Sequence, residues 1–256
     1  MLLALDVGNS NIVLGCIENG EISHVFRMVT NINKTEFEYA VEMRNILEFE
    51  GIDCAGFDGA IISSVVPPLV NVLKAAVKKI TGKTALVVSA GIKTGMNILI
   101  DDPATLGSDL VADGVAAMTH YKLPVIVFDM GTATTISVID QNGNFIGGAL
   151  FPGVQLSMNA LSSGTSQLPR VPIEPTGKVI CANTIDCMKS GAIYGTASMI
   201  DGMVERIEEE LGMKATVVAT GGLSGRIVPY CKHKIHHDEN LLLRGLAIIY
   251  EKNRRK

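Results

Sequence analysis

Two short segments carry the residue types that phosphate chemistry needs. Asp6-Val7-Gly8-Asn9-Ser10 follows one apolar run and Asp129-Met130-Gly131-Thr132-Ala133 follows another. In each, a carboxylate stands at the end of a strand-like run and a glycine lies two residues on. Glycine lacks a Cβ, so the chain turns sharply there and presents backbone N–H groups to an anion. Asn9, Ser10, Thr132 and Thr134 add side-chain donors, and the carboxylate can hold a cation against phosphate oxygens. The same Asp-x-Gly also marks ordinary hairpins, so neither segment alone decides. Together they repeat: Asn19-Gly20 and Asn142-Gly143, each a hairpin signal, follow thirteen residues after the respective Asp, and the two units are offset by 123 residues. Two similar halves facing each other across a cleft would clamp a nucleotide's phosphates.

A third carboxylate, Asp109, sits in Thr105-Leu106-Gly107-Ser108-Asp109-Leu110 at the start of a helical pattern. Gly107 admits a ligand close to the backbone, and a carboxylate there can accept a hydroxyl proton as phosphoryl transfer proceeds. Asp is also favoured in a first helical turn by the helix dipole alone. Thr220-Gly221-Gly222 follows an apolar strand and lets backbone approach a flat ligand such as an adenine ring, or simply turns the chain. Gly147-Gly148 and Pro152-Gly153 permit either a phosphate approach or a bulge. Thr81-Gly82-Lys83-Thr84 ends a helix rather than following a strand, which argues for a helix cap over a phosphate-binding loop. Gly222-Leu223-Ser224-Gly225-Arg226 lacks the last glycine of a nucleophile elbow. His233, His236 and His237 lie in a polar stretch read as a solvated loop.

The elements that must position these residues alternate. Apolar periodicity predicts strands over 2–7, 12–17, 22–29, 59–66, 85–90, 125–130, 134–139, 144–150 and 215–219. Helical spacing covers 35–49, 69–80, 105–121, a long stretch 184–211, and 240–251. Interleaving of this kind predicts an α/β architecture. The duplication divides the chain into halves 1–117 and 118–256, with the C-terminal helix packing back between them.

Composition narrows the partners. The 256 residues are 47% hydrophobic and 19% charged, which excludes a disordered chain. A net charge of -4 gives no electrostatic reason to expect nucleic acid, and the densest basic run, 251–256, reads as a solvated end. Five scattered cysteines without a C-x-x-C pair fit reduced thiols and no zinc site. The apolar opening before Asp6 is too short for a signal peptide, and no run reaches a membrane-spanning length. A soluble cytoplasmic protein, without membrane or nucleic-acid partners, is expected.

Taken in order, Asp6-x-Gly8-Asn9-Ser10, Ser63-Ser64-Val65-Val66-Pro67, Gly107-x-Asp109, Asp129-x-Gly131-Thr132, Gly147-Gly148-Ala149 with Pro152-Gly153, Leu161 to Pro169, Asn183-Thr184 and Thr220-Gly221-Gly222 resemble the type III pantothenate kinases over nearly the whole chain. The resemblance implies duplicated ribonuclease H-like domains of the actin-like ATPase superfamily with an interdomain nucleotide cleft. It implies ATP-dependent phosphorylation of pantothenate to 4′-phosphopantothenate, the entry to coenzyme A synthesis, in a homodimer. ATP with Mg²⁺ and a monovalent cation, K⁺ or NH₄⁺, are implied as well. By position, Asp6, Val7, Gly8, Asn9, Ser10, Asn11, Ile12 and Val13 would form the ATP-phosphate loop, and Thr132 would contact ATP. Asp129 would ligate the cation. Gly107, Ser108, Asp109 and Leu110 would touch pantothenate, with Asp109 as proton acceptor, and Thr184 would bind it near the dimer interface. Leu110 stands where the family commonly has Arg, and Ile100 where it often has Tyr. Both departures fall in the acceptor region, so a related small-molecule alcohol kinase or a non-catalytic nucleotide-binding regulator are the alternatives.

Overall fold

The computed structural model describes residues 1–254; Arg255 and Lys256, the end of the basic run, lie outside the described residues. In chain order the elements are β1 (Leu2–Val7), β2 (Asn11–Glu18), β3 (Glu21–Val29), α1 (Glu36–Phe49), β4 (Gly59–Ser64), α2 (Pro67–Thr81), β5 (Leu86–Val87), β6 (Asn97–Ile98) and α3 (Ser108–His120). There follow β7 (Val125–Met130), β8 (Ala133–Ile139), β9 (Asn144–Pro152), α4 (Val154–Gly164), α5 (Thr184–Ser190), α6 (Thr196–Leu211), β10 (Thr216–Thr220), α7 (Ser224–Ile227), β11 (Ile235–His237) and α8 (Leu241–Asn253). The chain forms two compact units. One comprises Met1–Met96, Asp101–Ala116 and the described residues from Asn240; the other comprises Asn97–Ile100 and Ala117–Glu239.

In the first unit the sheet order is β3-β2-β1-β4-β5. β1, buried along nearly its whole length, runs antiparallel to β2 and parallel to β4, which explains its unbroken apolar run. Side chains alternate between faces. Leu3, Leu5, Leu14 and Ile62 join the core beneath α1 and α2, with Tyr39, Met43, Leu47, Leu69 and Leu73. α1 begins at a capping box made by Thr35 and Glu38. α2 opens on Pro67-Pro68 and ends at Gly82 in the left-handed region (φ 71°), the cap that the glycine suggested. The opposite face carries Ala4, Asp6, Gly15, Gly59 and Ser63, and α8 covers it. Gly15 leaves room for Leu243, and Gly59 for the Tyr250 ring. Gly245 brings α8 against α3, for a Cβ there would lie 1.9 Å from the Ala112 carbonyl. The apolar stripe Leu241, Leu243, Leu246 and Ile249 is buried here, so α8 belongs to the first unit, whereas the division at 117/118 left it with the second half.

The second unit repeats the plan, β11-β10-β7-β8-β9, with β6 added beside β9. β7, β8 and β9 form an antiparallel meander and β10 returns parallel to β7, as β4 does to β1. Its core gathers Ile126, Phe128, Ile136, Ile193, Ile200, Val204 and Val217. The two Asn-Gly turns are built differently. Asn19 (φ 52°) and Gly20 (φ 84°) both take positive φ, whereas the Asp140 carboxylate accepts from the backbone N–H groups of Asn142 and Asn144 (each 2.8 Å), leaving only Gly143 left-handed.

Several bounds differ from the periodicity. The run 85–90 pairs only over Leu86–Val87. Helix α3 starts at Ser108 because Asp102 caps a separate 3₁₀ turn at Pro103–Thr105. The stretch 184–211 is α5 and α6 joined by a π turn at Gly191–Gly195. α4, with its Ser- and Asn-rich face, and the two edge strands β6 and β11 lacked a clear period. Among the described residues no helix is long and apolar enough to cross a membrane.

Candidate active site

In the first unit the Asp6 segment is a tight turn between β1 and β2. The Gly8 N–H donates to the Asn11 carbonyl (3.0 Å), and a Cβ on Gly8 would sit 3.3 Å from that same oxygen. Thr30, just past β3, fastens the turn from the side: its hydroxyl donates to the Gly8 carbonyl (2.7 Å) and its N–H to the Ser10 carbonyl (3.1 Å). Asn9, Ser10 and Asn11 are exposed, Val13 is half-buried and Ile12 is buried. Ile12 thus anchors the loop, while the polar residues are open to a ligand.

Asp109 reaches the same edge of this sheet by a hydroxyl strap. Asp6 lies in register with Ser63 on β4, and Val7 with Ser64. The Ser108 Oγ is 2.9 Å from the Ser63 Oγ, accepts from the Ser64 N–H (3.0 Å) and lies 3.2 Å from the Ser64 carbonyl. The first residue of α3 is thereby fixed to the carboxyl end of β4, beside Asp6. Gly107 then makes room for the next side chain: a Cβ there would come 2.3 Å from the Asp109 Oδ1. That oxygen accepts from the Leu110 N–H (2.9 Å). The structure therefore brings the loop Asp6–Val13, Gly107, Ser108 and Asp109 together on one sheet end, the carboxyl end where open α/β sheets hold ligands.

The second unit builds its own version. Asp129 is flanked in register by Thr135 on β8 and Thr220 on β10. The turn is closed by the Gly131 N–H donating to the Ala133 carbonyl (3.1 Å) and the Gly153 N–H donating to that of Thr132 (3.1 Å). Gly153 and Gly221 press on it from two sides. A Cβ on Gly153 would fall 2.3 Å from the Thr132 carbonyl oxygen, and one on Gly221 (φ +87°) 2.5 Å from the Asp129 Oδ1. Thr132 is exposed. The Thr135 Oγ1 is buried with no hydrogen-bond partner among the described residues. A carboxylate next to an orphaned hydroxyl oxygen is a donor set suited to an oxygen-loving cation. No group of three or more His, Cys, Asp or Glu that would hold a metal by itself occurs among the described residues.

Thr184 stands elsewhere in this unit, at the first position of α5, whose N-cap Asn183 accepts from the Asp186 N–H (2.9 Å). It lines a largely apolar cavity of about 550 Å³ with Phe151, Met158, Leu161, Cys187 and Met188. The glycines of the π turn, Gly191 and Gly195, form part of the wall.

Sequence reasoning passed over Thr30 and Thr135, and saw Ser63 and Ser64 only as motif letters. Small hydroxyl residues at strand carboxyl ends were the available signal. The histidine segment is no free loop: His233 binds the Asp201 carboxylate through its Nδ1 (3.0 Å), and His236 and His237 belong to β11.

Two sheets of the same order, each carrying an Asp-containing turn at the end of its first strand, define a duplicated ribonuclease H-like fold of the actin-like ATPase class. Among solved structures, the chain resembles a glucokinase of the ROK family from Streptomyces griseus (TM-score 0.56, 12% identity, 98% of each chain). It also resembles component A of the (R)-2-hydroxyglutaryl-CoA dehydratase of Acidaminococcus fermentans (TM-score 0.55, 15% identity, 99% of each chain). The family model described as type III pantothenate kinase matches residues 2–206. A type III pantothenate kinase of Brevibacillus brevis is 43% identical over 255 residues, covering 99% of both chains. The chain belongs to the type III pantothenate kinase family.

Proposed function

We propose that this protein phosphorylates pantothenate at its 4′-hydroxyl with ATP, giving 4′-phosphopantothenate and ADP as the first step of coenzyme A synthesis. The observation that carries the mechanism is the Ser108 strap, which sets Asp109 at the sheet end that holds the Asp6 turn. In this reading the backbone N–H groups and polar side chains of Asp6–Val13, with Thr132, hold the phosphates. Gly107, Ser108, Leu110 and Thr184 contact pantothenate. Asp109 accepts the hydroxyl proton as the oxygen bonds to the γ-phosphorus and the bond to the ADP oxygen breaks. Asp129, with Thr135, would hold K⁺ or NH₄⁺, which would offset the charge beside Asp129 when bound; Mg²⁺ accompanies ATP. We further assign the enzyme to the cytoplasm as a homodimer with the Thr184 region near its interface.

A second reading rests on Leu110. The residue next to the proton acceptor is apolar and half-buried, so it offers no fixed cation to an acceptor's carboxylate, and a different alcohol would suit it. Initial rates with pantothenate and with a panel of uncharged alcohols separate the two. Pantothenate-stimulated ADP release supports the first; stimulation by another alcohol alone supports the second.

A further inference from the structure

Beyond the turns themselves, a buried serine and a histidine on β11 hold the Gly221 turn in place. Ser224 is fully buried. Its Oγ lies 2.6 Å from the Gly221 carbonyl oxygen and 2.9 Å from the His237 Nε2. A hydroxyl has one proton to give, and a carbonyl can only accept. Ser224 therefore donates to Gly221, and His237 must donate from Nε2 to Ser224. Gly225 clears space for the ring, since a Cβ there would come 3.2 Å from its Cε1. The strand carrying His237 is itself fixed: Ala219 pairs in register with His237, and the Asp238 N–H donates to the Ala219 carbonyl (2.9 Å).

What this pair holds is the close approach of Gly221 to the Asp129 carboxylate. A Cβ on Gly221 would lie 2.5 Å from the Asp129 Oδ1 and 2.6 Å from the Met130 backbone. A small drift of Gly221 therefore changes the space available to the Asp129 carboxylate and the breadth of the Thr220-Gly221-Gly222 turn. We propose that Ser224 and His237 are positioning residues that set nucleotide affinity by fixing Gly221 against Asp129, an inference that rests on ATP binding at this turn.

Calorimetric titration of the full chain with Mg-ATP tests it, alongside thermal midpoints and the apparent KM for pantothenate. His237→Leu and Ser224→Ala should each weaken Mg-ATP about 3- to 10-fold, the range set by one neutral hydrogen bond. The thermal midpoint should fall by no more than a few degrees, as the loss of one buried hydrogen bond does in a chain of this size, and the pantothenate KM should hardly move. His237→Gln, whose amide nitrogen donates in place of Nε2, should restore affinity to within about two-fold. His237→Leu binding Mg-ATP as the unmodified protein does would overturn the proposal, as would a Gln variant no better than Leu. If Asp129→Asn weakens Mg-ATP while His237→Leu does not, the inference fails and the nucleotide site stands. Absence of Mg-ATP binding by the unmodified protein overturns both.

Discussion

Among single residues, the proposed chemistry depends most on where one carboxylate is placed. Asp109 is held by the two residues before it: Ser108 ties the backbone to Ser63 and Ser64, and Gly107 vacates the space that the Asp109 Oδ1 occupies. Asp109→Asn keeps the shape but cannot accept a proton, so kcat should fall by about 10²–10⁴-fold with the thermal midpoint nearly unchanged. Steady-state kinetics retaining more than about a tenth of the activity would contradict the assigned role. Gly107→Ala makes a different claim. The added methyl collides with the carboxylate oxygen, at 2.3 Å, so the side chain must swing away. Activity should drop about ten-fold or more, as small misplacements of a reacting group do, while denaturant midpoints stay close to those of the parent. Equal rates for the Ala variant would show that the observed Asp109 orientation is not the one used.

At the element scale, backbone contact without side chains does the joining. Gly245 seats α8 on Ala112 of α3, where a Cβ would approach the carbonyl oxygen to 1.9 Å. Gly245→Ala should therefore cost about 1–3 kcal/mol of stability, the usual penalty of overpacking, measured by urea unfolding; an unchanged midpoint would mean the helices separate without penalty. The repeat of strand, turn and strand was legible in the sequence because β1 and β7 are central strands whose near-continuous apolar runs end abruptly at Asp-x-Gly. The attachment of α8 was not, since nothing in its own amphipathic pattern says which sheet it covers; Gly15, Gly59 and Gly245 carry that information as absences. The candidate site was legible in its acidic and glycine letters, Asp6, Asp109 and Asp129. The hydroxyls that fasten them were not, because Thr30 and Ser63 reach their partners only through sheet register. Edge strands β6 and β11 are too short, at two and three residues, to show a period.

At the scale of the whole molecule, acid should loosen the second unit through α6. Burial alone raises the Asp201 carboxyl. The backbone N–H groups of Lys232 and His233, with the His233 ring, outweigh it and leave the group below its ordinary 3.8. Glu208 is likewise raised by burial yet held net below 4.5 by Lys214 and the Ala215 N–H. A carboxyl with a lowered folded pKa binds fewer protons folded than unfolded, so its contribution is complete above the unfolded value and is lost as pH falls through the folded one. The thermal midpoint should therefore fall below about pH 4.5, and Asp201→Asn with Glu208→Gln should flatten that descent; an unaltered slope would remove these groups from the explanation. The Asp129 turn makes a further demand, because besides the phosphate contact of Thr132 it is assigned a cation of defined size. Replacing K⁺ by Na⁺ should lower the rate, since cavity size and ligand number set ion preference, and Asp129→Ala should abolish that dependence with most of the activity. The kinase reaction itself is tested by ADP release from the purified protein, measured with and without pantothenate in potassium buffer. Pantothenate should stimulate release strongly, and Asp109→Asn should remove it. ADP release indifferent to pantothenate, or unaffected by that substitution, would contradict the kinase assignment.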